Sequence, residues 1–379
     1  MKNPDAIIIG AGIVGACAAL SLTNAGLKVL ILDRGTVSSG TTGAGEGNIL
    51  VSDKTPGPEL TLALRSRDLW FELQEDVGDS FELEAKGGVV VARDDDFGLR
   101  AFADNQSLHG VHAQRVNGEE LRELEPYLNP DINSGIYYPQ DAQCQPMLAA
   151  AQIIRQVINR GGSLVANAEV IKIDVENGKV TGVNTTQGRF DSPIIINASG
   201  TWANDVAKLA GSSLPIAPRR GFILVTEPAP QYVFHKVYDS AYVTNVSSSN
   251  ADLQTSTVIE GTRGGTILIG ASRERVGFDS AMNYAIVRIL AKQATSLFPI
   301  LRNVRLLRAY KGFRPYAPDH LPVIGQDSLV KGLWHSAGHE GAGIGLAPGS
   351  AFLLTDTILG RKSFMDASAF SPDRFSEAH

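Results

Sequence analysis

The stretch Asp5-Ala-Ile-Ile-Ile-Gly-Ala-Gly-Ile-Val-Gly-Ala-Cys-Ala-Ala19, followed by Lys28-Val-Leu-Ile-Leu-Asp33, decides the fold. Gly10 allows a tight turn after an apolar strand, Gly12 lets a pyrophosphate approach the backbone, and Gly15 lets the next helix lie close to the strand. The helix N-terminus then offers N–H groups and a positive dipole end to phosphates. Asp33 ends a second strand about 20 residues beyond the glycines, where an acid binds ribose. This order of elements predicts a dinucleotide site.

Two other interpretations of residues 6–32 fit less well. A signal peptide has a basic start, whereas the residues before this stretch include Asp5, and Asn24 and Lys28 interrupt the apolar run. A transmembrane helix needs about 20 uninterrupted apolar residues, and glycines and polar side chains divide this stretch. We therefore expect no integral membrane segment.

Composition narrows the function classes. The 379 residues have 43% hydrophobic and 20% charged content and a net charge of −6, so we expect a globular protein without a nucleic-acid partner. Cys17 and Cys144 are the only cysteines, too few for a disulfide framework and typical of a reducing cytoplasm. The chain has seven histidines, and we expect no metal site.

Apolar periodicity and turn residues predict the remaining elements. A loop of small residues spans 35–47, and a Gly-rich strand, loop and helix start spans 333–346. The predicted helices are 59–75, a polar region around 121–125, 146–159, 281–297 and one ending near 359. The predicted strands are 87–92, 169–175, 180–185, 194–197 and a largely antiparallel block from 221 to 270.

The predicted fold class is α/β, with a Rossmann-like domain and a smaller antiparallel-sheet substrate domain. We expect residues 1–80, 146–215 and 316–379 to form the discontinuous dinucleotide-binding domain. Residues 81–145 and 216–315 would form the substrate domain. In this arrangement the C-terminal segment returns to the cofactor, where its backbone amides could bind a ligand.

The chain contains a single Gly-x-Gly-x-x-Gly motif. A flavoprotein that takes hydride from NAD(P)H usually needs a second nucleotide fold. One motif therefore favours FAD as the sole nucleotide, with electrons that enter from an organic substrate. An NAD-dependent dehydrogenase is the alternative, and it would lack a yellow chromophore.

The full length resembles the D-amino acid oxidase-like (DAO) family of FAD enzymes. This family includes glycine oxidase, sarcosine oxidase and the flavin subunits of opine and hydroxyproline dehydrogenases. The resemblance lies in residues 5–33, Asn197-Ala-Ser-Gly-Thr-Trp-Ala203, Gly312-Phe-Arg-Pro-Tyr-Ala-Pro-Asp319 with Pro322-Val-Ile-Gly325, and Gly338-His-Glu-Gly-Ala-Gly-Ile-Gly-Leu-Ala-Pro348. The run 40–54 looks most like the β subunits of opine and hydroxyproline dehydrogenases.

The resemblance implies a set of FAD-binding residues. The loop 35–48 would follow the pyrophosphate and flavin, Val170 would meet the adenine through its backbone, and residues 338–346 would close over the isoalloxazine edge. Backbone N–H groups at a helix start would stabilise the negative charge of a reduced flavin there. The expected cofactor residues are Gly10, Gly12, Gly15, Asp33, Arg34, Thr41, Thr42, Gly47, Asn48, Val170, Ala198, Gly200, Trp202, Gly338, Gly341, Ala342, Gly343, Ile344 and Gly345.

Four residues are the candidates for substrate chemistry. Arg314, in a Gly-x-Arg-Pro motif, would bind a substrate carboxylate through its planar fork, with a structural salt bridge as the alternative. Arg273 and His339 would lie on the substrate side of the flavin. Lys311 is either an oxygen-activating cation or a surface charge. No side chain is required as a general base, because hydride can leave the α-carbon of a neutral amine.

Two departures from relatives refine these expectations. Glycine oxidase has an additional arginine in its C-terminal loop, where this chain has Gly341, which leaves more room and suggests a different or bulkier substrate. Sarcosine oxidases attach flavin to a cysteine near the Arg-Pro motif, where this chain has Gly312, so we expect non-covalent FAD.

The expected activity is oxidation of the C–N bond of an amino acid or N-substituted amino acid to an imine. We expect a cytoplasmic dehydrogenase subunit whose partner subunits accept electrons and could hold it at a membrane surface. A free-standing oxidase that makes peroxide and a non-catalytic flavin-binding scaffold are the alternatives.

Overall fold

The computed structural model describes residues 3–93, 96–241 and 253–375. The strands in these ranges are β1 Ala6–Ile9, β2 Val29–Leu32, β3 Asn48–Ile49, β4 Gly88–Ala92, β5 Gln114–Asn117, β6 Ser134–Tyr138, β7 Ala142–Gln143, β8 Ser163–Val165, β9 Val170–Glu176, β10 Lys179–Thr185, β11 Gly188–Asp191, β12 Ile195–Asn197, β13 Ala217–Thr226, β14 Lys236–Asp239, β15 Gln254–Gly261, β16 Ile267–Arg273, β17 Leu306–Tyr316, β18 Val323–Gln326 and β19 Leu333–Ala337. The α-helices are α1 Ile13–Asn24, α2 Pro58–Val77, α3 Phe97–Ser107, α4 Gly118–Leu124, α5 Pro146–Asn159, α6 Ala203–Lys208, α7 Tyr284–Leu297 and α8 Gly343–Ile358.

The first sheet has the strand order β18-β19-β12-β1-β2-β8, and all neighbours are parallel except β18 and β19. Its central strand β1 is wholly apolar and buried, as expected for a parallel sheet covered on both faces. The chain leaves β1 at Gly10 and β2 at Asp33. Ligands of such sheets bind beyond the carboxyl ends of the strands, which is where these two residues lie.

Different elements cover the two faces of this sheet. Helices α1, α2, α5 and α8 contribute to one core with alternate residues of β1 and β2, such as Ile8 and Ile31. The β9–β11 meander packs on the other face, where Ile173 and Val183 meet Ile7. Helix α1 approaches β1 closely because Gly15 has no side chain, and a Cβ there would overlap the carbonyl oxygen of Gly10.

The second sheet has the order β17-β13-β16-β15-β14-β4-β6-β5. It is antiparallel apart from the parallel pair β14 and β4, which comes from distant parts of the chain. Residues on β13 alternate between two environments. Phe222 and Leu224 pack in the core with helix α7, whereas Gly221 and Ile223 line a cavity.

The predicted elements agree with the structure within a few residues. Helix α5 has the predicted bounds, and α2, α7 and α8 differ from the prediction by at most three residues at the ends that were specified. Helix α3 was not specified as a separate element. Part of the predicted block from 221 to 270 lies outside the described residues. Within those that are described, it forms β13 to β16.

None of the helices in the described ranges combines the length and apolar character needed to cross a membrane. In the same part of the chain, no three His, Cys, Asp or Glu side chains are grouped to hold a metal ion.

The division into domains stays a proposal. Residues 1–80, 146–215 and 316–379 supply the first sheet, and 81–145 and 216–315 supply almost all of the second. A two-stranded sheet of β3 and β7 connects the two proposed segments at Asn48 and Gln143.

Candidate active site

A cavity of about 810 Å³ lies between the two sheets. Its wall includes the turn after β1, the loop after β2, one face of β13, β16 and β17, and the segment before α8. The volume falls within the range of about 300–1,000 Å³ that is typical of small-molecule and cofactor sites. The cavity therefore unites segments from Ile9 to Ile344, which are 335 positions apart in the sequence.

The turn after β1 forms one end of this cavity. Gly10 has a φ of 121°, and a Cβ there would overlap the carbonyl oxygen of Ala198. Asp33 holds the turn: its Oδ2 accepts a hydrogen bond from the Ala11 N–H at 2.7 Å, and its Oδ1 accepts one from Gly35 at 2.7 Å. The carboxylate thus connects the ends of β1 and β2 at the edge of the cavity.

The loop of small residues fits between α1 and β17. The Thr42 hydroxyl accepts a hydrogen bond from the Ile13 N–H at 3.0 Å, which satisfies one free donor of helix α1. Thr41 and Thr201 both donate to the carbonyl oxygen of Phe313 at 2.8 Å. These bonds attach the loop to the strand that carries Arg314.

An aromatic stack forms another part of the wall. The Arg34 guanidinium lies 3.8 Å from the ring centroid of Trp202, and Trp202 stacks on Phe278 with centroids 5.4 Å apart. Gly40 passes close to the same indole, since a Cβ there would be 3.3 Å from its ring. The stack fixes the position of the Arg34 charge at the cavity.

Arg314 reaches the cavity from β17. Its Nη1 donates to the carbonyl oxygen of Ser272 at 2.7 Å. The guanidinium lies over Gly221, where a Cβ would overlap Nη1. Gly341 also leaves room, because a Cβ there would be 3.7 Å from the Arg314 side chain. A backbone carbonyl therefore holds the Arg314 guanidinium, and the absence of side chains at Gly221 and Gly341 gives it room.

A second set of charges lies beside Arg314. Glu340 pairs with the fully buried Arg219 at 2.6 Å, and His320 contacts its other oxygen at 3.2 Å. Burial opposes ionisation of Glu340. The His320 hydrogen bond and the charges of Arg219 and Arg273 outweigh it and lower the pKa of this carboxyl to about 2. Glu340 is therefore ionised at neutral pH, and Arg273 lines the cavity next to it.

The segment before α8 forms a further part of the cavity wall. Gly343 and Ile344 line the wall where α8 begins, and the first N–H groups of a helix have no partner inside it. Helix α2 supports this end: Trp70 Nε1 donates to the Ile344 carbonyl at 3.0 Å, and Ser66 donates to that of Gly345 at 2.6 Å.

His339 also lines the cavity. Its Nε2 lies 3.0 Å from the hydroxyl of Ser350, and burial lowers the pKa of this imidazole to about 4. His339 is therefore neutral at physiological pH.

Most of the predicted site residues line the one cavity: Gly10, Gly12, Asp33, Arg34, Thr41, Thr42, Asn48, Val170, Ala198, Gly200, Trp202, Arg273, Arg314, His339, Gly341, Gly343 and Ile344. Six do not line it: Gly15, Gly47, Lys311, Gly338, Ala342 and Gly345. Two of these allow close packing instead, because a Cβ on Gly47 would overlap the Cys144 carbonyl and one on Gly345 would be 3.2 Å from that of Asn48. Lys311 of β17 is paired with Phe222 of β13 and does not line the cavity.

Sequence reasoning missed several charged residues of the site. Glu46 lines the cavity although it lies in a run of glycines that indicates only backbone contacts. Arg219 and Glu340 form a pair across 121 residues, which no local pattern reveals. An acid inside the otherwise uncharged run Gly43-Ala-Gly-Glu-Gly-Asn48 was the one available signal for Glu46.

The sequence matches the DAO family, described as FAD dependent oxidoreductase, over residues 5–357. The chain belongs to the DAO family. Its described fold is accordingly that of an FAD-dependent oxidoreductase, which excludes the alternative of an NAD-dependent dehydrogenase.

Relatives in the DAO family cover nearly the whole chain. Glycine oxidase of Geobacillus kaustophilus is 28% identical, over 98% of this chain and 97% of the relative. Hydrogen cyanide synthase subunit HcnC of Pseudomonas aeruginosa is 25% identical, over 99% and 97% respectively. A crystal structure of glycine oxidase from Geobacillus kaustophilus superimposes with a TM-score of 0.89 at 26% identity and covers 99% of each chain.

The site fits the FAD that DAO family members use. Gly10 and Gly12 expose backbone at the start of α1, Asp33 lies where a ribose acid belongs, and the start of α8 offers further N–H groups to the same cavity. Cys17 and Cys144 are both buried and neither lines the cavity. Burial also raises the pKa of both thiols, so neither is suited to bond a flavin.

Proposed function

We propose that this chain oxidises the C–N bond of an amino acid or N-substituted amino acid of the opine, hydroxyproline, sarcosine or glycine type. The product is an imine, which water hydrolyses. FAD supplies the two-electron acceptor that takes hydride from the α-carbon. The observation that carries the proposal is the Arg314 guanidinium, which lines the same cavity as the dinucleotide-binding segments.

The role of Arg314 is to bind and orient the substrate carboxylate. A guanidinium matches a carboxylate with two parallel hydrogen bonds, and such charged pairs are about twice as strong as neutral ones. Ser272 holds one nitrogen of the fork from behind, which limits its rotation. A substrate that is fixed at its carboxylate presents its α-carbon at a defined place, which lowers the entropic part of the barrier.

Two features favour an N-substituted acid of the opine type over glycine. Arg273 lines the cavity with Arg314, and an opine carries a second carboxylate that a second guanidinium could bind. Gly341 has no side chain beside Arg314, which leaves space for a substituent on the substrate.

We further propose that the chain is a dehydrogenase subunit that passes electrons to a partner subunit in the cytoplasm or at a membrane surface. The similarity to a hydrogen cyanide synthase subunit over nearly the full length supports this. A free-standing oxidase is the second candidate, and the similarity to glycine oxidases favours it.

A screen of the purified holoprotein tests both proposals. Opines, hydroxyproline, sarcosine and glycine are mixed with it without air, and bleaching of the flavin is recorded. We expect at least one of these acids to bleach it, whereas a flavin that none of them reduces would leave the scaffold alternative. The active substrate is then tested in air, where slow peroxide release supports the subunit role and rapid release supports the oxidase.

A further inference from the structure

Glu46 is a buried carboxylate whose position the proposed chemistry does not yet use. It lines the cavity, only 8% of the residue is exposed, and its Oε1 has no hydrogen-bond partner among the described residues. The other oxygen, Oε2, accepts a weak hydrogen bond from Asn48 Nδ2 at 3.3 Å. Buried carboxylates are costly unless they are paired, so this one calls for a partner.

The sheet makes room for this carboxylate in the same way as for Arg314. A Cβ on Gly270 of β16 would overlap Oε1 of Glu46, and a Cβ on Gly221 of β13 would overlap Nη1 of Arg314. Strands β13 and β16 are neighbours in the sheet. Two glycines on adjacent strands therefore admit two opposite charges to one cavity.

Among the charged groups that act on Glu46, Lys236 and Glu260 balance each other, so only Arg314 offsets the charge of Glu46. Lys236 of β14 is already paired with Glu260 of β15 and with Asn48 Oδ1, and this buried pair sums to zero charge. The remaining cation that acts on Glu46 is Arg314 of β17. Once Arg314 binds a substrate carboxylate, as proposed above, the charge of Glu46 has to be balanced by the substrate.

An α-amino acid carries that cation one carbon away from its carboxylate. We propose that Glu46 binds the ammonium group of the substrate and accepts its proton. The N–H bond breaks, its electron pair stays on nitrogen, and the proton joins a carboxylate oxygen of Glu46. The neutral amine then has the lone pair that forms the C=N bond as hydride leaves the α-carbon. This role rests on the proposed function.

The surroundings suit a proton acceptor. Burial raises the pKa of Glu46, Lys236 lowers it, Glu260 raises it and Arg314 lowers it, with a net rise above the usual value. Tyr310 of β17 also faces this carboxylate, and burial together with the charge of Glu46 raises the pKa of its phenol, so it stays neutral. Arg273, His339 and Glu340, which is paired with Arg219, are the other titratable groups that we place on the substrate side of the cavity.

The first test is the pH dependence of kcat/KM for Glu46→Gln, with Glu84→Gln as control. Glu84 is a partly exposed acid bonded to Gln143 outside the cavity. The wild type should be active between the pKa of Glu46 and that of the free substrate ammonium. The Gln variant should lose about 10²–10⁴-fold at neutral pH and recover as the substrate amine becomes neutral. A loss that is equal at all pH values would overturn the proposal.

The second test is calorimetric binding without turnover. The probes are 2-aminoisobutyrate, which lacks an α-hydrogen, and pivalate, in which a methyl group replaces the ammonium. The wild type should bind the amino acid at least tenfold more tightly than pivalate, and Glu46→Gln should abolish this preference while pivalate affinity is kept. An unchanged preference in the variant overturns the Glu46 role alone. If the wild type binds neither acid and no amino acid bleaches its flavin, the proposed function fails and the Glu46 role falls with it.

Discussion

At the scale of single residues, the site depends on charges held in place by backbone. Arg314 donates to the Ser272 carbonyl and fills the space over Gly221, so backbone helps to fix its orientation. Glu340 is instead held by the side chains of Arg219 and His320. A substitution of Arg314 should therefore affect substrate binding, whereas a substitution of Glu340 should affect stability.

Replacement of Arg314 tests the carboxylate assignment. Arg314→Ala should lower kcat/KM for the amino-acid substrate by about 2–5 kcal/mol of transition-state stabilisation, since the charged partner of the substrate carboxylate is lost. Arg314→Lys should recover only part of this, because an ammonium cannot form the two parallel bonds. Steady-state kinetics provide the measurement. Arg308→Ala, at an exposed position on the same strand, is the control, and equal kinetics for both alanine variants would contradict the assignment.

Replacement of Glu340 tests the buried ion pair. Glu340→Gln removes the carboxylate that pairs with the buried Arg219 and should lower the free energy of unfolding of the holoprotein by about 3–5 kcal/mol at pH 7. The pKa of Glu340 in the folded protein is depressed to about 2 from 4.5, so its stabilisation is present above pH 4.5 and is lost as pH falls towards 2.

The gap between wild type and Glu340→Gln in denaturant melts should accordingly narrow below pH 4.5. Asp104→Asn is the control, because Asp104 forms an exposed pair with Arg115 that should contribute at most about 1 kcal/mol. A Glu340 variant as stable as this control at pH 7 would show that the pair contributes nothing.

Sequence could indicate Arg314 but not the role of Glu46. The arginine lies in a recognisable Gly-x-Arg-Pro motif. The role of Glu46 depends on Gly270 and Lys236. These residues are about 190–225 positions away in the sequence and come close to Glu46 only when the strands of the sheet pair. Charge burial is a property of the folded chain, and a glutamate among glycines looks exposed until the cavity closes around it.

At the scale of elements, two helix starts contribute to the wall of the cavity. Helix α1 begins at Ile13 after the glycine turn, and α8 begins at Gly343 after a 3₁₀ turn at Glu340–Ala342. Both present N–H groups that have no partner within their helix. Their placement follows from close packing, since α1 contacts α8 and both lie against the same core.

A methyl group at Gly12 should separate cofactor retention from folding. Gly12 has φ −79°, a value that alanine adopts freely, and its Cβ would lie 3.0 Å from the Thr42 hydroxyl. Gly12→Ala should therefore fold but lose most of its bound FAD, because the methyl group occupies the approach of the pyrophosphate. The ratio of flavin to protein absorbance after purification measures this.

Gly264→Ala is the matched control, in a hairpin turn with no atom closer than 3.8 Å to its Cβ. It should retain FAD as the wild type does. If Gly12→Ala retains FAD equally well, the phosphate does not lie at this turn.

The support that α2 gives to α8 leads to a second prediction at this scale. Trp70→Phe removes the bond to the Ile344 carbonyl and leaves that buried oxygen without a side-chain donor. We expect a loss of about 1–3 kcal/mol in the free energy of unfolding, measured in denaturant. Tyr284→Phe, at a residue that is 74% exposed, should change stability little. An unchanged Trp70→Phe protein would mean that water or another donor replaces the indole.

Local patterns predicted elements better than their partners. Helix α5 has its predicted bounds because Gln145, Pro146 and Gly161 mark its ends and its apolar stripe is clear. The parallel pairing of β14 with β4 connects residues about 148 positions apart and leaves no local trace. Helix α3 was not separated from its polar surroundings, since its few buried residues form only a short stripe.

At the scale of the whole molecule, the cavity exists only because the chain returns twice to the first sheet. Strand β12 lies beside β1, and β19 lies beside β12, so the segments after both strands line the same cavity as the glycine turn. The sequence predicted this return, because the order of motifs along the chain implied it. The family match over residues 5–357 agrees with that reading.

The central claim is that this cavity holds FAD and oxidises an amino acid bound at Arg314. The most direct measurement is anaerobic titration of the purified holoprotein with opines, hydroxyproline, sarcosine and glycine, with Arg314→Ala in parallel. The account predicts that one of these acids bleaches the wild-type flavin and that the variant requires far more of it. A flavin that none of them reduces, or a variant that responds like the wild type, would contradict the account.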